Sequence, residues 1–183
     1  TLGRKGEHLA PLAELSAAGA VAFSDDGDPV FDSEIMRRAL EYSAMFNRPV
    51  IQHAQDPALS KGGVANEGRV ATALGLPVIP RLAEELMVVR DIRLAEYTGG
   101  QYHVAHVSTA ESVAAVRAAK ARGVRVTCEV APHHLFLTEE DISRIGSGRG
   151  EVRPRLARAA DRDAMWNNLA VIDCFATDHA PQP

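Results

Sequence analysis

Five apolar runs in this chain each end in an imidazole or a carboxylate. The first closes on Ser24-Asp25-Asp26-Gly27, the second on His53 and the third on His106. The fourth passes through Glu129 into Pro132-His133-His134, and the fifth ends at Thr177-Asp178-His179. Imidazole nitrogen and carboxylate oxygen are donors that borderline cations such as Zn²⁺ take, and they also move protons at neutral pH. Taken singly, each group has an ordinary structural explanation. Residues 25–29 have turn composition, His133-His134 suits a solvated surface, and Asp178 suits a helix N-cap. Taken in order on five successive runs, they point to a metal or acid–base site.

The runs themselves read as strands, at 19–24, 49–53, 102–106, 124–130 and 171–176. Helical patterns separate them. One covers 32–46, with Asp32 or Ser33 as its cap. Another covers 81–97 and is ended by Gly99-Gly100. Further helices are expected at 109–121, stopped at Gly123, and at 159–169. Residues 56–80 read as a long loop bordering the site or a subunit interface. Alternating strands and helices imply βα units and a parallel sheet. A doubly wound sheet is the generic alternative, but neither GxGxxG nor GxxxxGK[ST] occurs. In a β/α barrel the C-terminal ends of the strands form the active-site rim, where the five donors would meet.

Composition narrows the function. The chain has 183 residues, 46% hydrophobic and 24% charged, enough for one domain with a core. A net charge of -4 argues against an electrostatic nucleic-acid binder. No apolar run approaches the roughly 20 residues of a membrane span, and the first residues lack a signal-peptide pattern. Cys128 and Cys174 are expected as small core residues, which suits a reducing cytoplasm. His8 is expected in solvent. His103, three residues before His106, is expected on the opposite strand face behind the barrel. Trp166 is expected to pack a helix on the barrel.

Residues 22–27, 50–54, 102–109, 126–135 and 172–181 together resemble the dihydroorotases of the amidohydrolase superfamily. The resemblance covers nearly the whole chain and implies a zinc-dependent (β/α)8 TIM-barrel-type hydrolase. About five βα units are present, strands 4 to 8, in a single partial barrel domain over 1–183. It implies two zinc ions per complete site. Asp26 resembles a bridging carboxylate, His53 and His106 the ligands of the second zinc, and Asp178 a ligand of the first that also shuttles the proton. Arg153 matches a position that contacts the substrate carboxylate. Asp25, Glu129, His134 and Gln182 are implied to lie near the site. The implied reaction interconverts dihydroorotate and N-carbamoyl-aspartate in pyrimidine biosynthesis. Implied partners are the small-molecule substrate, further copies of the chain, and aspartate transcarbamoylase.

Two departures accompany the match. No His-x-His occurs anywhere in the 183 residues, although the family opens its barrel with one. Gln182 stands where the family commonly has a substrate-binding histidine. The favoured expectation is a fragment of a longer enzyme, ahead of a site completed by another chain. A non-catalytic scaffold that partners aspartate transcarbamoylase is the reading of a different class. Allantoinases and hydantoinases are the enzymatic rivals, but they usually carry a carboxylated lysine where this chain has Ser24-Asp25-Asp26.

Overall fold

The computed structural model describes residues 1–146, 148 and 150–180. Helices start and stop where local chemistry dictates. The Asp32 carboxylate accepts from the N–H groups of Glu34 and Ile35 at 2.8 and 2.9 Å, which makes Asp32 the cap of its helix. Thr109 caps another helix by accepting from Ser112 N. Gly99, at φ 70°, takes the left-handed conformation that ends the longest helix.

In chain order the elements are α1 (Leu12–Ala17), β1 (Phe23–Ser24), α2 (Ser33–Ala44), β2 (Pro49–Gln52) and α3 (Pro57–Ser60). They continue with β3 (Ala65–Asn66), α4 (Arg69–Leu74), β4 (Val78–Ile79), α5 (Leu82–Thr98), β5 (Gln101–Val104) and α6 (Ala110–Ala121). The last are β6 (Val126–Val130), α7 (Pro132–Phe136), α8 (Ile142–Ile145), α9 (Ala159–Asn167) and β7 (Cys174–Phe175). Short 3-10 turns lie at Leu2–Arg4 and Glu139–Asp141.

Five strands form one parallel sheet in the order β1-β2-β5-β6-β7. Spatial order therefore follows chain order without reversal, as in consecutive βα units of a barrel; a doubly wound sheet would reverse at a switch point. Burial is one-sided. Val50, Tyr102, Val104, Val126, Cys128 and Val130 point to the helices and share a core with Met36, Leu40, Val88, Ile92, Val113, Val116 and Met165. The alternate strand residues, among them Ile51, His103, Thr127 and Glu129, face the other side and are half-buried or exposed.

The expected strands are present but shorter. The two edge strands shrink most, to Phe23–Ser24 and Cys174–Phe175, because each has a hydrogen-bonded neighbour on one side only. Residues 56–80 are not structureless. They form α3 and α4 and the parallel pair β3–β4, closed over a small apolar core of Ala65, Ala71, Ile142 and Leu156. A two-residue strand is too short to show alternation, so its sequence signal is weak. Among the described residues no helix is long and apolar enough to cross a membrane.

A buried polar network ties the loop after β1 to the core. Gln52 accepts from Val30 N at 3.0 Å and donates to Asp91 at 3.1 Å, while Asp91 also accepts from Arg90 Nε at 2.8 Å. Asp91 is wholly buried, and burial raises its pKa to about 6 against the opposing charge of Arg90. The packing is equally tight where β5 begins. A Cβ at Gly100 would lie 2.9 Å from the Leu40 carbonyl oxygen. Gly100→Ala is therefore expected to push α2 off the sheet and cost about 1–3 kcal/mol. Urea unfolding of the two proteins measures this, and an unchanged midpoint would contradict the packing described.

Candidate metal centre

Two strand ends create the site. His53 follows the last residue of β2, and His106 lies two residues beyond β5, the neighbouring strand. His106 has φ 34°, in the left-handed region that side chains other than glycine rarely adopt. Its Nε2 lies 3.0 Å from His53 Nδ1, with the rings edge-to-face and both residues buried. Asp26, in the turn after β1, brings Oδ1 to 3.5 Å from His106 Nε2 and 3.8 Å from His53 Nδ1. One nitrogen from each ring and one carboxylate oxygen thus converge within 4.8 Å.

Electrostatics favour an ionised carboxylate beside a neutral His53. The hydrogen bond from His106 lowers the Asp26 pKa to about 2, although burial opposes it. Burial and the neighbouring His106 lower His53 to about 4, leaving it neutral at pH 7. Burial also pulls His106 down, but the hydrogen bond and charge of Asp26 outweigh it, so its pKa is raised.

The donor set fits a zinc-type cation. Two imidazole ligands of one tetrahedral zinc sit about 3.3 Å apart, given Zn–N distances near 2 Å. The observed 3.0 Å separation is close to that. A single proton can satisfy the facing nitrogen pair, whereas a cation would use both lone pairs and the carboxylate together.

The triad opens onto a cleft of about 1030 Å³, whose walls include His133, Arg153 and Asp178. Asp178 sits at φ 49°, and its charge acts on both His106 and His133. It lines the cleft but stands outside the close group of three. Arg153 is exposed on the wall, 4.0 Å from Glu151.

Other expected residues are placed differently. Asp25 turns away from the histidines and bonds the Thr1 hydroxyl, leaving Asp26 as the carboxylate at the centre. Of the adjacent pair, His133 reaches the cleft while His134 is buried behind it. The resemblance placed His134 near the site, and its ring lies 4.2 Å behind that of His133. Both lie in the first turn of α7, where neighbouring residues point about 100° apart, so only one can face the rim.

His103 does not pack behind the barrel. It lies on the sheet face away from the helices, with Nδ1 2.7 Å from Thr127 Oγ1 and Nε2 3.1 Å from Glu129. Counting by twos from His103 to His106 fails because β5 ends at Val104 and the chain turns. Glu129 is thereby engaged with His103, and Cys174 Sγ lies 3.9 Å from it. Both ring nitrogens of His103 already have partners, so this second cluster is a hydrogen-bond network. Cys128 is buried as expected, whereas Cys174 is exposed on its edge strand. His8 is exposed, as expected. Trp166 is exposed on α9, donates to the Leu135 carbonyl at 2.7 Å and stacks edge-on against Phe136 on α7. Gln182 lies outside the described residues.

Solved hydantoinases share this fold. A D-hydantoinase matches 90% of the chain with 38% of its own, at TM-score 0.73 and 26% identity. The L-hydantoinase of Arthrobacter aurescens matches 92% of the chain with 40% of its own, at TM-score 0.75 and 24% identity, a likeness of fold. The fold is thus that of the amidohydrolase barrels, with a metal-type donor set on its rim. The dihydro-orotase-like family model matches residues 1–112, and the chain belongs to that family. The dihydroorotase of Pelotomaculum thermopropionicum is 55% identical over 99% of the chain and 43% of that protein. That of Syntrophobacter fumaroxidans is 51% identical over 98% of the chain and 41% of that protein. The chain spans about two-fifths of the length of these relatives.

His134 makes the fold sensitive to acid. Its Nε2 lies 3.0 Å from the Pro154 carbonyl, which can only accept, so the ring donates. Burial and the neighbouring His133 lower its pKa to about 3. An unfolded chain takes up this proton near pH 6.5 and the folded one does not. Stability from this group is therefore complete above pH 6.5 and is lost as pH falls toward 3. Between pH 6.5 and 5 the loss is about 2 kcal/mol. Denaturant titrations at the two pH values should show a smaller drop for His134→Asn than for wild type. An equal drop would refute the assignment.

Proposed function

We propose that this chain is the metal-binding part of a dihydroorotase, and that the metal is zinc. The observation that carries the proposal is the convergence of His53 Nδ1, His106 Nε2 and Asp26 Oδ1 at the ends of adjacent strands. The high identity to dihydroorotases supports the substrate pair, dihydroorotate and N-carbamoyl-aspartate. A cytoplasmic setting in pyrimidine biosynthesis and association with further copies or with aspartate transcarbamoylase belong to the same reading.

The chemical problem is an unreactive ring amide and a weakly nucleophilic water. When bound, zinc polarises the carbonyl and lowers the pKa of water to about 7. His53, His106 and Asp26 would hold it, with His53 already deprotonated at neutral pH. Asp178, on the cleft wall, is the group to take the proton from attacking water and return it to the departing ring nitrogen. Arg153, across the cleft, suits the substrate carboxylate, because its planar fork pairs bidentately with carboxylate. The His-x-His donors of a complete two-zinc site are not among these 183 residues.

Elemental analysis of the purified protein, beside His53→Ala/His106→Ala, tests the centre. Near-stoichiometric zinc is expected in the wild type and its loss in the double variant. Both proteins are also assayed on dihydroorotate. Zinc with turnover supports the full proposal, and zinc without turnover restricts the chain to the binding half of the centre. A folded wild type without zinc overturns the proposal and favours the scaffold reading.

A further inference from the structure

Apart from the meeting of its Nε2 with His53 and Asp26, the His106 ring has no support of its own among the described residues. Metal-ligating histidines usually donate their second ring nitrogen to a carboxylate, carbonyl or water, which orients the imidazole. His106 Nδ1 is buried, and no protein group among the described residues pairs with it. The backbone must therefore aim the ring, yet that backbone is at φ 34° and beyond the last paired residue of β5. A conformation of this kind persists only where its surroundings impose it.

The surroundings are specific. Val107 N donates to the Glu129 carbonyl on β6 at 2.8 Å. The next two residues turn to one side chain, Glu84, in the first turn of α5. Glu84 accepts from Ser108 N and Thr109 N, each at 3.1 Å, from Thr109 Oγ1 at 3.0 Å, and from Ser108 Oγ. Glu84 is 6% exposed, and a buried carboxylate is tolerated only when hydrogen-bonded this fully. It does not line the cleft that holds the triad.

We infer that Glu84 is a positioning residue for His106: by clamping Ser108 and Thr109 it sets the direction of the imidazole and hence the affinity of the centre for its metal. The inference rests on the reading of His53, His106 and Asp26 as metal ligands. The Glu84 carboxylate bonds the loop and neither histidine, and its charge also reaches His106.

The test is zinc affinity, measured by competition with a chromogenic chelator, on wild type, Glu84→Ala, Glu84→Gln, Ser108→Ala and the surface control Glu41→Gln. Unfolding curves accompany each protein, and the His106 ring resonances are followed by NMR without metal. Glu84→Ala is expected to weaken zinc binding about 10–100-fold, the usual effect of losing an outer support of a ligand. Ser108→Ala should lose less. Glu84→Gln should recover part of the affinity, because its amide oxygen still accepts from the two N–H groups. The His106 resonances should shift in the Glu84 variants, and Glu41→Gln should match wild type. Should Glu84→Ala fail to fold, Glu84→Gln and Ser108→Ala decide the matter. Folded Glu84 and Ser108 variants that bind zinc like wild type, with unshifted His106 resonances, overturn the inference alone. A wild type that binds no zinc overturns the reading of the centre, and this inference with it.

Discussion

Parallel pairing of β2 with β5 is the constraint on which the site depends. With Gln52 opposite Val104, the two strands end side by side, and the residues that follow leave the sheet at the same edge. His53 continues the alternation of β2 and faces away from the helices. His106 is one residue further along its own strand than register alone would match, and its left-handed backbone turns the ring back toward His53. A slip of one residue in this pairing would turn one strand over relative to the other and take its histidine out of the cleft. Hydrophobic burial prevents that slip, because Val50, Tyr102 and Val104 all lie on the helix-covered face.

Around that pairing, buried polar groups do what apolar packing cannot. Dispersion and burial hold the sheet to α2, α5 and α6, but they are non-directional. Directional bonds fix the loops. Gln52 and Asp91 hold the backbone at Val30, at the far end of the turn that carries Asp26. Glu84 and Asp161 hold the entry to α6, through Ser108, Thr109 and Ala110. Glu84 and Asp161 reach the loop after β5 directly, and Asp91 acts on the loop after β1 through Gln52, so helix packing and site geometry are coupled.

The face of the sheet away from the helices is unusually polar. A barrel interior is normally dominated by branched aliphatic side chains. Here His103 on β5 bonds both Thr127 and Glu129 on β6. This network lies on the strands that deliver the triad, so polarity extends below the rim as well as along it.

Much of this was legible from the amino-acid sequence. Strand ends carrying His53, His106 and Asp178 stood out because apolar runs alternate with helical ones, and polar residues that end such runs fall at one edge of a parallel sheet. Caps such as Asp32 and stops such as Gly99 were legible because their chemistry is local. The choices between neighbours were less so. The resemblance separated Asp26 from Asp25, but the place of His133 on the rim and the inward face for His103 each turn on a single residue of phase. That phase is set where regular structure ends, by a turn, a first helical turn or a left-handed residue. Likewise, nothing along the chain links Glu84 to Ser108 and Thr109, 24 and 25 residues away. The sequence determined the donors and the scaffold that lines them up. Only the tertiary structure decided which donors meet, because that depends on side-chain directions that packing and long-range hydrogen bonds impose.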